Sequence, residues 1–91
     1  MSKFYKVIYS KKSKKFISKN NREGIKFFRI FEEISHDRKN MQFYDIKNMI
    51  GHANEYRLRI GQYRALFQII EDEIIILVID IGSRGQIYKK K

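Results

Sequence analysis

Three arginines stand close together in residues 56–70, YRLRIGQYRALFQII. Gly61-Gln62 sits where a two-residue loop joins two strands, with glycine first as a type II′ turn prefers. That turn sets Ile60 against Tyr63, Arg59 against Arg64, Leu58 against Ala65 and Arg57 against Leu66. Side chains alternate along a strand. Tyr56, Leu58, Ile60, Tyr63, Ala65, Phe67 and Ile69 therefore form one apolar face, and Arg57, Arg59, Arg64, Leu66 and Gln68 form the other. Arg59 and Arg64 become directly opposed like charges, which weakens a hairpin by a fraction of about 1 kcal/mol. Folding alone favours Thr or Glu at one of them. An anion bound between the guanidiniums offsets the repulsion, since each presents planar, bidentate donors suited to phosphate. Neutralisation by nearby carboxylates, such as Glu55 or Asp80, is the alternative that requires no ligand.

The hairpin needs elements to hold it. Residues 3–9, KFYKVIY, are aromatic and β-branched and read as a strand. Ser10 can cap a short basic helix, KKSKKFISK. Asn20 with Glu23 resembles a capping box for a second helix. There Ile25, Phe28, Phe31 and Ile34 recur at intervals of three, with Phe27 and Ile30 widening the stripe. Such a helix lies on something apolar. Residues 36–54 have mixed periodicity, with a turn at Gly51. Strands follow at 56–60, 63–70 and 73–81. The last, EIIILVIDI, is apolar on both faces and belongs inside the sheet. A turn at Glu71-Asp72 pairs Arg64 with Ile79 and lets the chain beyond Ile81 bring Arg84 to the arginine surface. The order is β-α-α-β-β-β, an α+β fold with both helices on the Leu58/Ile60/Phe67 face and Phe28 and Phe31 packed against it.

Composition bounds what that surface meets. Ninety-one residues allow one domain, 1–91. Twenty Lys and Arg against ten Asp and Glu give a net charge of +10. Such a field attracts polyanions, with nucleic acid the leading class and an acidic protein or an anionic membrane surface also fitting. The first 19 residues hold seven lysines and no acid, and residues 84–91 hold four cations and no acid. Without cysteine there is neither a disulfide framework nor a thiolate metal site. No apolar run approaches the length of a membrane span and no signal peptide is readable, so a soluble cytoplasmic protein is expected. No His/Asp/Glu cluster has metal-ligand spacing, and no cofactor is expected. His36 and His52 are isolated, with His52 just before the hairpin.

Three elements in register then resemble one family. They are Lys47-Asn48-Met49-Ile50-Gly51, the hairpin Tyr-Arg-Leu-Arg-Ile-Gly-Gln-Tyr-Arg, and the closing Asp-Ile-Gly-Ser-Arg-Gly-Gln-Ile-Tyr that ends at Tyr88. Together they resemble the C-terminal half of the RelE/ParE toxin superfamily, and the N-terminal order agrees. The resemblance implies a toxin of a type II toxin–antitoxin pair, of the RelE kind, an endoribonuclease that cuts mRNA on the ribosome. It implies catalytic roles for Arg59, Arg64, Arg84 and Tyr88, and RNA binding by Lys47, Arg57 and Lys89. An acidic antitoxin is the implied partner. Many relatives carry His before the tail arginine, where this chain has Ser83, so the acid–base pair stays open.

RNA supplies its own nucleophile, the 2′-OH, so the protein must align it, neutralise phosphoryl charge and move two protons. Arginines suit the second task. Tyr88 suits the third better than arginine, because guanidiniums around a phenol make it more acidic. Two alternatives remain: a ParE-like toxin that inhibits DNA gyrase without chemistry, and an RNA-binding module that does not cleave. The latter needs stacking aromatics on the open face, where Leu66 and Gln68 stand instead.

Overall fold

The computed structural model describes residues 4–83. Strand β1 (Lys6–Tyr9) leads to helices α1 (Lys11–Lys19) and α2 (Asn21–His36), then to a 3₁₀ segment (Arg38–Phe43). Strands β2 (Asp45–Asn48), β3 (Glu55–Ile60), β4 (Tyr63–Ile70) and β5 (Ile75–Ser83) follow. The sheet order is β1-β5-β4-β3-β2. Only β1 and β5 run parallel; the other pairs are antiparallel. The expected α+β architecture is present, with one strand more than expected. That strand, β2, is a four-residue edge strand with three exposed positions, too short and too polar to show a period.

The β3–β4 hairpin has the expected register, including Arg59 opposite Arg64. Gly61 alone takes positive φ (+59°) in its turn, as a type II′ loop requires. Leu58, Ala65 and Ile81 form one buried row across the sheet, and Phe67 with Val78 and Ile69 with Ile76 form two more. Phe27, Phe31 and Ile34 of α2 close this core from above. Phe16 of α1 sets its ring edge-on to both Phe27 and Tyr63. Tyr56 and Ile60, expected to be buried, lie half-buried at its rim.

The buried face of α2 keeps Phe27, Phe31 and Ile34 of the expected stripe but not Ile25 and Phe28. Gly24, Phe27, Phe31 and Ile34 point inward, whereas Ile25 and Phe28 are 51% and 45% exposed. A strict interval of three drifts around a helix of 3.6 residues per turn, while 24/27/31/34 stays on one line. Gly24 is required by α1: a Cβ there would lie 2.8 Å from Ile17 Cα. The capping box does not form either. Asn20 makes no side-chain bond to the α2 N-terminus; its Nδ2 donates to the Phe16 carbonyl and closes α1 instead. Ser10 does cap α1, accepting from Ser13 N at 3.1 Å.

The β4–β5 register also differs. Arg64 faces Gly82, not Ile79. The turn covers four residues, Glu71 to Ile74, so Ile70 pairs with Ile75, and a bulge leaves Ile79 unpaired between Leu66/Asp80 and Phe67/Val78. The longer turn and the bulge together move the register by three. Carbonyls beside the bulge hold the next segment: Ser10 N extends the β1–β5 ladder to Val78 O, which also accepts from the buried Ser13 Oγ, and Ser10 Oγ donates to Ile79 O. Thus the start of α1 is fastened over the bulge.

Candidate nucleic-acid interface

The sheet face opposite the helices gathers the basic side chains. The registers place Lys47 beside Arg57, Asp45 beside Arg59, Arg59 beside Arg64 and Arg64 beside Gly82. Four of the residues expected to serve a site, Lys47, Arg57, Arg59 and Arg64, therefore share one surface. Arg64 is the deepest of them at 7% exposure, in the central strand. Arg59 is about half exposed, and Lys47 stands out in solvent on the edge strand. Arg84, Tyr88 and Lys89 lie outside the described residues.

Asp45 is the residue that sequence reasoning missed. Its Oδ1 accepts from Arg57 Nη2 at 3.0 Å, and its Oδ2 pairs with Arg59 Nε at 3.0 Å. Of the carboxylates expected to neutralise the cluster, Glu55 lies 4.0 Å from His52 and Asp80 lies 3.9 Å from Lys12. Recognising β2 would have exposed the signal, since DIKN alternates an acid and a base on the face that Arg57 and Arg59 share. The Nε of Arg57 is buried and has no hydrogen-bond partner.

Beyond β2 the chain is fastened into a turn. Gly51 takes φ +82°, and the Asn48 side-chain amide donates to the carbonyls of His52 and Glu55. This holds the Lys47–Gly51 element at the edge of the basic face. His52 itself is well exposed.

A second polar cluster was also unforeseen. Glu71, in the β4–β5 turn, accepts from Tyr5 at 2.6 Å and pairs with Arg38 of the 3₁₀ segment. Arg38 Nη2 donates in turn to Tyr56 Oη at 3.1 Å, and the Tyr56 ring stacks on Phe67. The bond to Glu71 raises the Tyr5 pKa. Burial works to lower that of Arg38, but the Tyr56 bond and the Glu71 charge carry it above its ordinary value. The cluster joins β1, the 3₁₀ segment and the far turn, and is a lock rather than an opening. Burial, with Glu32 nearby, pushes the Tyr9 phenol up strongly.

Among the described residues, no group of His, Asp and Glu side chains could hold a metal ion, and no helix is long and apolar enough to cross a membrane. The sheet strands carry no aromatic side chain on the arginine face among those residues, so base stacking has no platform there. The arrangement suits the phosphate backbone instead.

Comparison with known proteins agrees in fold. Residues 7–88 match the model of the ParE toxin of type II toxin–antitoxin systems, parDE. The Methanocaldococcus jannaschii protein named Putative toxin RelE1 is 31% identical over 64 residues, 70% of this chain and 71% of that protein. The RelB–RelE antitoxin–toxin complex from Methanococcus jannaschii matches with a TM-score of 0.69 at 27% identity, covering 92% of this chain and 98% of that one. The archaeal RelE–RelB complex from Pyrococcus horikoshii gives a TM-score of 0.75, covering 91% and 98%; at 19% identity this likeness is one of fold.

Proposed function

Because this chain belongs to the RelE/ParE superfamily of toxins of type II toxin–antitoxin systems, we propose that it is an endoribonuclease that cleaves mRNA on the ribosome. One observation carries this reading. Lys47, Arg57, Arg59 and Arg64 stand together on a sheet face that the helices leave uncovered. Asp45 offsets part of the repulsion by pairing with Arg57 and Arg59, and a phosphodiester backbone suits the whole collection of charges better than one carboxylate does.

In the proposed reaction the substrate's 2′-oxygen attacks the adjacent phosphorus as the bond from phosphorus to the 5′-oxygen breaks. The products are a 2′,3′-cyclic phosphate and a 5′-hydroxyl. Arg59 and Arg64, with Arg84, balance charge growing on the phosphoryl oxygens. Tyr88 moves a proton between the 2′-hydroxyl and the leaving oxygen. Lys47, Arg57 and Lys89 hold flanking phosphates. The relatives solved as RelE–RelB complexes support a dedicated antitoxin as partner, and the charge of +10 favours an acidic one.

The matching family model is named for ParE, which favours a second reading, inhibition of DNA gyrase. One experiment separates the two: single-turnover cleavage of mRNA on programmed ribosomes beside a gyrase supercoiling assay. Cleavage is expected, slowed by at least about 10²-fold in Arg84→Ala and Tyr88→Phe with ribosome affinity little changed. Gyrase inhibition without cleavage would reverse the assignment.

A further inference from the structure

Asp45 is placed where the hairpin would otherwise offer its guanidiniums to a ligand. Its two carboxylate oxygens each take one arginine, Arg57 Nη2 and Arg59 Nε, both at 3.0 Å. Two oxygens of one anion shared between two guanidiniums is also how a phosphate group would sit there. We infer that Asp45 is an internal stand-in for a phosphate: it holds Arg57 and Arg59 in position in the free protein and gives way when a phosphate-bearing ligand enters. That the ligand is an RNA backbone rests on the nuclease reading; the exchange of anions does not.

Three observations support the exchange. The Asp45 side chain is 41% exposed and belongs to a four-residue edge strand with a single neighbour, so it can swing out without disturbing the core. The Asp45–Arg59 pair is exposed on both sides, 41% and 48%. Such pairs are weak and screened by solvent, so a more highly charged anion can replace this one. The Arg57 side chain, only 15% exposed, stays in place to receive that anion. The arrangement also leaves a donor unused, since Arg57 Nε is buried without a partner. A phosphate offers more acceptor oxygens than a carboxylate and can serve that group too.

The two states predict opposite effects for the loss of one charge. If Asp45 only braces the arginines, Asp45→Asn loosens them and weakens anion binding. If it occupies the anion site, the same change strengthens binding. The test titrates inorganic phosphate into the folded protein and follows the arginine Nε–H resonances of Arg57 and Arg59. Asp72→Asn, in the exposed β4–β5 turn, is the control, because it changes net charge equally at a distance from the arginine face. Asp45→Asn should bind phosphate about fivefold more tightly than Asp72→Asn, the scale of losing the exposed pair with Arg59. With a single-stranded RNA oligonucleotide, its salt dependence should steepen by about 0.7, one further neutralised phosphate. Equal or weaker phosphate binding by Asp45→Asn overturns the inference. Tighter phosphate binding with no RNA binding by any form upholds the anion site and removes the nuclease reading instead.

Discussion

The two faces of one hairpin follow different rules. Leu58, Ala65, Phe67 and Ile69 are buried under α2 beside Ile76, Val78 and Ile81. Their chain neighbours Arg57, Arg59, Leu66 and Gln68 belong to the opposite surface. On the covered face each side chain is what close packing asks for. On the open face like charges meet, Arg59 beside Arg64 and Lys47 beside Arg57, and Asp45 offsets only part of the repulsion. Where packing explains a residue, it has no need of a ligand; where packing is opposed, a ligand is the better explanation.

The largest test of that contrast is Phe67→Ala. Phe67 is fully buried, edge-on to Phe31 and stacked with Tyr56. Its loss should lower the unfolding free energy by about 3–5 kcal/mol in denaturant titrations. A cost near that of a surface change would mean that the helices do not seal this face. Next comes Gly24→Ala. Alanine improves helix propensity by about 1 kcal/mol, yet its Cβ would press on the Ile17 backbone. Net destabilisation of about 1–3 kcal/mol is expected from prising α1 and α2 apart. A stabilised variant would show that the helices separate freely.

Tyr5 tests the rim by pH. Its raised pKa means that the folded state holds the phenolic proton more tightly than the unfolded chain does. The contribution is full below the unfolded value of 10.0 and is lost as pH rises through the folded one. The stability gap between the parent and Tyr5→Phe should therefore narrow above pH 10, measured by denaturant titration along a pH series. A constant gap would mean that Glu71 does not hold the proton. The smallest effect belongs to the open face. Arg59→Ala forfeits an exposed pair with Asp45 and relieves its opposition to Arg64. Its stability should stay within about 0.5 kcal/mol of the parent, while RNA affinity falls. A loss rivalling that of Phe67→Ala would make the arginine a structural group and break the comparison.

Local chemistry decided which parts could be read in advance. The hairpin register was legible because Gly61 names its turn and the alternation around it is unbroken. From that alternation alone came the shared face of Arg57, Arg59 and Arg64. The β4–β5 register was not legible. Its turn puts Ile74 at φ 56°, a left-handed conformation that turn rules reserve for glycine and asparagine, and a bulge follows. The inward face of α2 was missed at Ile25 and Phe28 because six apolar residues between 25 and 34 leave little polar contrast. Asp45 stayed hidden with β2, whose four residues, three of them exposed, carry no signal until their neighbour is known.

The parallel pairing of β1 with β5 has a consequence for synthesis. Among the described residues, the first strand to leave the ribosome has the last as its only partner in the sheet, with Lys6 waiting for Ile75 and Tyr9 for Val78. Ile76, Val78 and Ile81 of that same strand are core residues, so the core lacks one wall until they emerge. Closing such a long loop is the slow kind of folding step. A nascent chain halted before Ile75 should remain open to protease, and one halted well past Ser83 should resist it. The basic face is then complete only after β5 has emerged. The fold of this toxin is therefore closed by its last described strand, not by the strands that carry Lys47, Arg57, Arg59 and Arg64.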